Sequence, residues 1–238
     1  MRQTLGKLLV RPEPGIPLSE AVPFLPSDPV IVEAGAASGQ ELPQFQQLWP
    51  DATVHAFEPE PRAFALLKER TAPMLGVHCW NLAIGVEDGI VEMNVSEGDG
   101  YGTMCSSLLK PGEIKRELPE LSFSTVEVEQ RTLASWAAEH NVDHIDLFAL
   151  DMQGFEHAAL AAALDLLRSA RVVFTEAFLR PLYDGAATVD QMQALLAHAG
   201  FVVLHTNTFW GTTHELMAVR RDVLEAAVDA GLPTKYRR

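Results

Sequence analysis

The stretch Val30-Ile-Val-Glu-Ala-Gly-Ala-Ala-Ser-Gly39 decides how the rest of the chain is interpreted. It opens with three apolar, β-branched residues, which are typical of a parallel strand buried on both faces. Gly35 and Gly39 follow, and glycine permits a positive φ or the close approach of another group to the backbone. The pattern predicts a strand, a tight turn and a helix, with a ligand lying against the turn.

The glycine turn differs from the turn of a nicotinamide or flavin site. Such a site has the spacing G-x-G-x-x-G, whereas Ala37 stands where its second glycine belongs. A dinucleotide oxidoreductase is therefore disfavoured, and we expect a different ligand that contains adenosine.

Composition and charge narrow the classes of protein that this chain can be. Its 238 residues include 18 lysines and arginines and 32 aspartates and glutamates, which give a net charge of −14. Because such a surface repels phosphate backbones, nucleic acid is not an expected substrate. Cys79 and Cys105 are the only cysteines, and they give neither a disulfide framework nor metal-ligand spacing. Because no apolar segment reaches the length of a membrane span, we expect a cytoplasmic protein without a membrane partner.

The chain divides into a short arm and one domain. Residues 1–28 are rich in proline, which argues against a regular element and predicts an arm that wraps the domain or a partner subunit of a homo-oligomer. Residues 29–238 are long enough for one α/β domain with a full core. The prolines of the arm are Pro12, Pro14, Pro17, Pro23 and Pro26.

Hydrophobic periodicity predicts alternating strands and helices along that domain. After the strand that begins at Val30, strands are predicted over 53–57, 77–84, 90–95, 124–128, 145–150, 171–175, 201–205 and 215–219. Helices are predicted over 40–48, 61–71, 133–140, 156–168 and 189–199. Asp88-Gly89 predicts a hairpin between the strands on either side of it, and the last two strands are close enough to form another. The whole is a parallel α/β sheet that ends in a hairpin with one antiparallel strand.

A long polar loop over 96–112 interrupts this pattern. Loops of this length inside a compact domain are usually functional, and a floppy surface insertion is the alternative. Together with the segment after the strand 171–175, the loop supplies the expected acceptor contacts, which are Tyr101, Ser106, Ser107, Phe178, Arg180 and Tyr183.

Ligands of open parallel sheets collect at the carboxyl ends of the strands, so the residues there are the candidate site. Glu58 ends the second strand 25 residues after Glu33 and can accept hydrogen bonds from both ribose hydroxyls of a bound adenosine. The alternative for Glu58 is a cap of the helix that starts at Pro61. Glu33 could hold a cationic group of the ligand, or it could be a structural carboxylate bonded to turn amides.

Five motifs together resemble the FkbM-type S-adenosylmethionine-dependent methyltransferases, over about residues 30–219. The motifs are Val32-Glu-Ala-Gly-Ala-Ala-Ser-Gly39, Ala56-Phe-Glu-Pro-Glu-Pro61, Asn81-Leu-Ala-Ile-Gly85, Thr132-Leu133 and Ile145-Asp-Leu-Phe-Ala-Leu-Asp-Met-Gln-Gly-Phe-Glu156. The resemblance implies a Rossmann-like class I methyltransferase fold, with a mostly parallel seven-stranded sheet and a C-terminal antiparallel hairpin. It also implies that S-adenosyl-L-methionine is bound by Glu33, Gly35, Gly39 and Glu58, and that Asp151 and Glu156 border the transfer site. The other candidate cofactor residues are Ala36, Pro59, Asn81, Ala83 and Asp151.

This chain departs from the family pattern at three positions. The family commonly has aspartate where Glu33 stands, lysine where Ala149 stands and a second carboxylate where Gln153 stands. The departures leave two hypotheses. The first is an O-methyltransferase that acts on a hydroxyl of a small molecule, sugar or natural product, and the second is a non-catalytic member of the same fold that binds an adenosine ligand.

The candidate general bases are Asp151, Glu156 and His214, in that order of motif position. Asp151 could instead cap a helix, Glu156 could complement a helix dipole, and His214 could be a solvated loop residue. Asp151, Glu156 and Glu176 could also gather around a divalent cation, because oxygen ligands suit magnesium or calcium. Holding the acceptor in line with the methyl group can supply roughly 7–11 kcal/mol of the barrier, so positioning matters more than the choice of base.

Overall fold

The computed structural model describes residues 15–98, 102–209 and 212–232. A 3-10 helix, Leu18–Phe24, precedes the first strand. The strands are β1 Val30–Ala34, β2 Thr53–Phe57, β3 Val77–Trp80, β4 Ala83–Ile84, β5 Gly89–Glu97, β6 Ser122–Arg131, β7 Leu147–Leu150, β8 Val172–Phe178, β9 Phe201–Phe209 and β10 Thr213–Arg220. The α-helices are α1 Leu42–Leu48, α2 Pro61–Thr71, α3 Ile114–Glu117, α4 Leu133–His140, α5 Glu156–Ala162, α6 Leu164–Ser169, α7 Val189–His198 and α8 Arg221–Asp229.

The main sheet has seven strands in the order β3-β2-β1-β7-β8-β10-β9. Neighbouring strands from β3 to β8 are parallel, whereas β10 is antiparallel to both β8 and β9. The prediction of a mostly parallel seven-stranded sheet with a C-terminal antiparallel hairpin is confirmed. Strand order reverses between β1 and β7, and the carboxyl ends of strands at such a switch point are where α/β proteins bind ligands.

Alternate residues of the central strands enter two hydrophobic layers, one on each face of the sheet. Val32 of β1 and Phe148 of β7 belong to one layer, and Ile31 and Leu147 belong to the other. Every residue of β7 is buried, which explains its continuous apolar sequence. The carboxyl ends of β1 and β7 are therefore held side by side by a core on both faces.

The region between β3 and β6 differs from the prediction. The predicted strand over 77–84 is two strands, because β3 belongs to the main sheet and β4 to a second sheet with the order β4-β6-β5. The predicted hairpin at Asp88-Gly89 is wrong, since β5 pairs antiparallel with β6 instead of with the strand before it. The apolar side chains of β5 meet those of β6 and β4 in a small core made of Ala83, Met93, Val95 and Val128.

Four other predicted elements have different bounds in the structure. The predicted helix over 156–168 is interrupted at Ala163, whose φ of −121° separates α5 from α6. The predicted strand over 171–175 continues to Phe178 because β10 pairs with it along its whole length, so Glu176 lies inside β8 and not after it. β9 and β10 are likewise longer than predicted, since each extends the hairpin ladder of the other.

The proline-rich segment contains a regular element, contrary to the prediction for 1–28. The 3-10 helix Leu18–Phe24 has Pro23 inside it, which is compatible with a short helix because the φ of proline suits this conformation. Leu18, Ala21 and Phe24 are buried in the same hydrophobic layer as α1 and α8. This part of the arm packs on its own domain, whereas Pro12 and Pro14 lie outside the described residues.

The segment between β5 and β6 is packed instead of being a floppy insertion where the structure describes it. Cys105, Ile114 and Leu118 form a small hydrophobic cluster with Leu182 and Tyr183, from the connection that follows β8. Residues 102–121 therefore form a wall at the carboxyl ends of the strands, and Tyr101 lies outside the described residues. Within the described residues, no helix is both long and apolar enough to cross a membrane.

Candidate active site

A cleft of about 720 Å³, counted out to its open mouth, lies at the carboxyl ends of β1, β2 and β7. It lies at the switch point of the sheet, where α/β proteins bind ligands. The lining residues come from three places. These are the strand ends (Ala34, Gly35, Ala37, Phe57, Glu58, Pro59, Asp151, Met152, Gln153 and Phe155), the second sheet (Leu82, Ala83, Ile84 and Met93) and the wall (Thr103, Met104, Ser106, Ser107 and Leu108).

The turn after β1 ties the three strand ends together. Gly35 has a φ of +88°, and its amide donates to the carbonyl oxygen of Phe57 at 3.0 Å. A Cβ at Gly35 would lie 1.8 Å from the backbone carbonyl oxygen of Asp151, so no side chain fits there. The glycine is therefore required twice, by its backbone conformation and by the approach of the chain after β7.

Glu58 places its carboxylate in the cleft, next to the turn. One of its oxygens accepts a hydrogen bond from the amide of Ala37 and the other from the amide of Glu60, both at 2.8 Å. Burial raises the pKa of Glu58 to about 7, although the two amides oppose the rise. The alternative role predicted for Glu58 belongs to Glu60, whose side chain accepts from the amide of Ala63 at 2.7 Å and caps α2.

Glu33 is buried inside β1 and does not line the cleft. Its Oε2 atom has no hydrogen-bond partner within the described part of the chain. Burial, and then the charges of Glu41, Asp151 and Glu58, raise the pKa of Glu33 well above its usual value. Ala149 is the residue paired with Glu33 on β7, so the position where the family commonly has lysine supplies no cation to this carboxylate.

Asp151 follows β7 and carries its carboxylate into the cleft from an exposed position. Its amide donates to the carbonyl oxygen of Ala34, and its Oδ1 accepts a hydrogen bond from Nε2 of Gln153 at 2.6 Å. The alternative of a helix cap is wrong for Asp151, because α5 begins after Phe155 and has no side-chain cap. Asp151 therefore lines the cleft while its carboxylate is bonded to Gln153.

Glu156 does not border the cleft, contrary to the prediction. The first turn of α5 directs its side chain back under the loop, where Oε1 accepts from the amides of Met152 at 2.7 Å and Gly154 at 3.2 Å. Burial is the main cause that raises the pKa of Glu156 to about 7. This arrangement makes Glu156 a support for the loop after β7.

His214 does not line the cleft either. It lies in β10, paired with Ala177 of β8 and Thr208 of β9, and its Nε2 is 2.9 Å from the hydroxyl oxygen of Thr208. β10 is the third strand from β1, a distance of about 14 Å at the usual strand spacing. His214 is therefore at the expected edge of the sheet, but it lies too many strands away from β1 to reach the cleft.

The predicted cofactor residues divide into those that line the cleft and those that support it. Gly35, Glu58, Pro59, Ala83 and Asp151 line it, whereas Glu33, Ala36, Gly39 and Asn81 do not. The side-chain amide of Asn81 donates to the carbonyl oxygens of Glu58 at 2.9 Å and Pro59 at 3.0 Å, which fixes the backbone on which Glu58 is mounted.

The predicted acceptor contacts also divide. Ser106 and Ser107 line the cleft. Phe178 and Tyr183 are packed in the small cluster behind the wall, and Arg180 is paired with Glu117. The sequence pattern does not single out Thr103, Met104 or Gln153 as lining residues, although the first two fall in the long polar loop.

The three carboxylates considered for a cation do not form a metal site. Among residues 15–98, 102–209 and 212–232, no group of three or more histidine, cysteine, aspartate or glutamate side chains is arranged to hold a metal ion. The carboxylate of Glu156 is bonded to two loop amides, and Glu176 is inside β8, paired with Glu215 of β10. This set of donors does not fit a divalent cation.

Comparisons with known proteins show the family of this chain. The model of the family described as "Methyltransferase FkbM domain" matches residues 33–203. The chain is 32% identical to a 2-O-methyltransferase, NoeI, of Sinorhizobium fredii (strain NBRC 101917 / NGR234), over 173 residues that make up 71% of each protein. It also resembles a chain in the crystal structure of a fibrillarin/Nop5p complex, with a TM-score of 0.50 and 13% identity over 82% of this chain and 74% of that one, which is a likeness of fold alone.

The family match spans the glycine turn, Glu58 and Asp151, which are the features that build the cleft. It covers well over half of the chain, and the relative from S. fredii is similar over most of its own length. The chain therefore belongs to the FkbM methyltransferase family and is an S-adenosylmethionine-dependent methyltransferase.

Proposed function

We propose that this methyltransferase methylates a hydroxyl group of a glycosyl or other small-molecule acceptor, so that the reaction is an O-methylation. The observation that carries the proposal is that Glu58 and Asp151 present carboxylates to one cleft from the ends of β2 and β7, the two strands that flank β1. One carboxylate suits a diol and the other suits a hydroxyl that must lose its proton. The name of the similar S. fredii protein, a 2-O-methyltransferase, supports a 2-hydroxyl as the position methylated.

Glu58 would hold the ribose of S-adenosyl-L-methionine. Each of its oxygens accepts one backbone hydrogen bond and keeps further acceptor capacity, which is what two adjacent hydroxyl donors require. Glu33 is buried in β1 and has no partner for Oε2 within the described residues, so the positive charge of a bound donor would favour the ionised form of this carboxyl and be stabilised by it. When bound, the donor supplies an electrophilic methyl group on a positively charged sulfur.

Asp151 would receive the proton of the acceptor hydroxyl. The acceptor oxygen forms a bond to the methyl carbon as the carbon–sulfur bond breaks with its electron pair left on sulfur, and the hydroxyl proton passes to the Asp151 carboxylate. A general base contributes about 10²–10⁴-fold, whereas alignment can supply roughly 7–11 kcal/mol. The packed wall at Ser106 and Ser107 would provide part of that alignment, because its backbone is bonded to β5.

Methyl transfer to sugars of defined structure tests this proposal. Purified protein is incubated with S-adenosyl-L-methionine labelled in its methyl group and with methyl glycosides that carry a free 2-hydroxyl, beside matched 2-deoxy glycosides. We expect label in the first set and none in the second. Label in both sets would contradict the 2-position. Phenols are assayed in the same way, and label in no glycoside and no phenol would contradict a small hydroxyl acceptor.

Two isosteric variants separate the donor site from the acceptor site. Asp151→Asn should keep binding of S-adenosylhomocysteine, measured by calorimetry, and lose methyl transfer by about 10²-fold or more. Glu58→Gln should weaken that binding. Asp165→Asn is the matched control, since its side chain is fully exposed on α6. Binding without any turnover in wild type would favour the non-catalytic alternative.

We also propose that the chain works in a reducing cytoplasm as a homo-oligomer. Cys79 and Cys105 are both free thiols, and Leu66 and Leu75 expose apolar surface on and after α2. Sedimentation velocity of the full chain tests self-association, and a single monomeric species at micromolar concentration would contradict it.

A further inference from the structure

We propose that Gln153 is a positioning residue, whose side-chain amide holds the Asp151 carboxylate ionised and aimed into the cleft while Tyr183 holds the amide. The inference rests on the proposed role of Asp151 as the group that receives the acceptor proton. It gives a function to the position where the family commonly has a carboxylate.

The contacts form a chain from the hydrophobic cluster behind the wall to the cleft. The Tyr183 hydroxyl proton is shared between the carbonyl oxygen of Cys105 at 2.8 Å and Oε1 of Gln153 at 3.2 Å. Nε2 of Gln153 donates to Oδ1 of Asp151 at 2.6 Å. Tyr183 is buried and packed beside Phe178, so the far end of the chain is fixed by the core.

The charges around Asp151 explain why an amide is useful at 153. The negative charge of Asp151 raises the pKa of neighbouring groups in several elements, which are Glu33 in β1, Glu58 after β2, Cys105 in the wall, Glu156 in α5 and Tyr183. All of these neighbours are acids, so each charge among them disfavours the next. An amide adds a hydrogen-bond donor without adding another negative charge.

The orientation of the amide follows from the same charges. If it were reversed, its oxygen would face the Asp151 carboxylate and the two acceptors would repel each other. In the observed orientation the amide nitrogen faces Asp151 and the amide oxygen faces the Tyr183 hydroxyl. The bond that the amide nitrogen donates to Asp151 is stronger while Asp151 is ionised, because the negative charge strengthens the acceptor.

The backbone at Gln153 is also held in an unusual conformation. Its φ is +52°, in the left-handed region that residues other than glycine seldom adopt. The hydroxyl of Ser107 donates to the carbonyl oxygen of Gln153 at 2.9 Å and accepts from the amide of Leu109 at 3.1 Å. Such strain persists only where the surroundings enforce it, and here it directs the side chain towards Asp151.

The experiment is a titration of the Asp151 carboxyl by carbon NMR, which needs no acceptor. Gln153→Glu places a like charge in hydrogen-bond range and should raise the pKa of Asp151 by about one to two units. Gln153→Met keeps the length of the side chain but removes the donor, and it should give a smaller rise. Gln47→Glu, on the exposed side of α1, is the matched control and should leave Asp151 unchanged.

If the role of Gln153 were purely structural, its variants would differ in stability, but the pKa of Asp151 would not fall in the order Gln153→Glu, Gln153→Met, wild type. Folding of each variant is checked by its thermal transition, and if Gln153→Glu does not fold, the Met variant alone decides. An Asp151 titration that is the same in wild type and in a folded variant at 153 overturns the proposal. Failure of wild type to bind S-adenosylhomocysteine would instead contradict the proposed function, and it leaves the titration as a separate result.

Discussion

The raised pKa of Glu58 makes cofactor affinity depend on pH in a range that is easy to measure. Burial in the cleft raises this pKa to about 7. The protonated carboxyl carries a proton on one of its two oxygens, so it cannot accept a hydrogen bond from each of two ribose hydroxyls as the ionised form can. Binding should therefore be full above the pKa and should weaken as pH falls through it.

The size of the effect follows from the fraction of Glu58 that is ionised in the free protein. With a pKa near 7, about nine-tenths is ionised at pH 8 and about one-tenth at pH 6. If only the ionised form binds, the dissociation constant of S-adenosylhomocysteine should rise about tenfold between pH 8 and pH 6, or about 1.4 kcal/mol. Residual binding by the protonated form would reduce this factor but not reverse its direction.

Isothermal titration calorimetry at four pH values between 6 and 8 measures the dependence directly. Glu58→Gln should bind more weakly at pH 8 and show a flatter profile. Glu156 has a pKa raised to a similar value beneath the same loop, so Glu156→Gln serves as the second control and should keep the wild-type slope. An affinity independent of pH in wild type, or a slope that survives in Glu58→Gln, would refute the reasoning.

Three further predictions concern folding and the loop after β7. Gly35→Ala should destabilise the fold and abolish cofactor binding, because its Cβ would meet the carbonyl of Asp151. Gly185→Ala is the control: its φ is +85° and the space around it is open, so urea unfolding should show a loss of only about 1 kcal/mol in the free energy of unfolding. Glu156→Ala leaves two loop amides unpaired and should lower the free energy of unfolding by about 2–4 kcal/mol. Glu156→Gln should fold and retain methyl transfer. An inactive but folded Gln variant would restore Glu156 as a base candidate. Burial and the neighbouring His78 and His140 lower the pKa of His55 to about 4, so its neutral form stabilises the fold above pH 6.5 and this contribution is lost as pH falls towards 4. Wild type should therefore lose about 1–3 kcal/mol more than His55→Phe between pH 7 and pH 4, and equal losses in both would contradict this.

The parts of the fold that the sequence predicts well are those governed by local pattern. The bounds of β2, α2 and α4 agree with the prediction, because alternation or helical periodicity and a capping residue specify each of them locally. The second sheet is not predicted because β5 finds its partner more than twenty residues later, across the wall. Pairing at that distance depends on which apolar faces meet, and short-range turn signals do not encode it.

The candidate site divides in the same way. Glu58 and Asp151 can be found from the sequence because each follows a strand, and parallel strands place their carboxyl ends at one edge of the sheet. Glu156 is not placed correctly from the sequence, because a side chain in the first turn of a helix can point into the cleft or back under its own loop. In the structure it points back, where the amides of Met152 and Gly154 donate to it. Gln153 stands out in the sequence only as a departure from the family, since its partner Tyr183 is thirty residues away along the chain.

The alanine opposite Glu33 on β7 has a consequence for turnover. With Ala149 opposite, no lysine on β7 lowers the raised pKa of Glu33, so the charge of a bound cation is what favours its ionised form, and Glu58 and Asp151 add negative potential around the cleft. A sulfonium donor carries one more positive charge than the thioether that remains after transfer, so this potential should retain the fresh donor and favour departure of the spent one. Exchange of the two would then be driven by the protein's own charge, and Ala149→Lys should narrow the ratio of their dissociation constants.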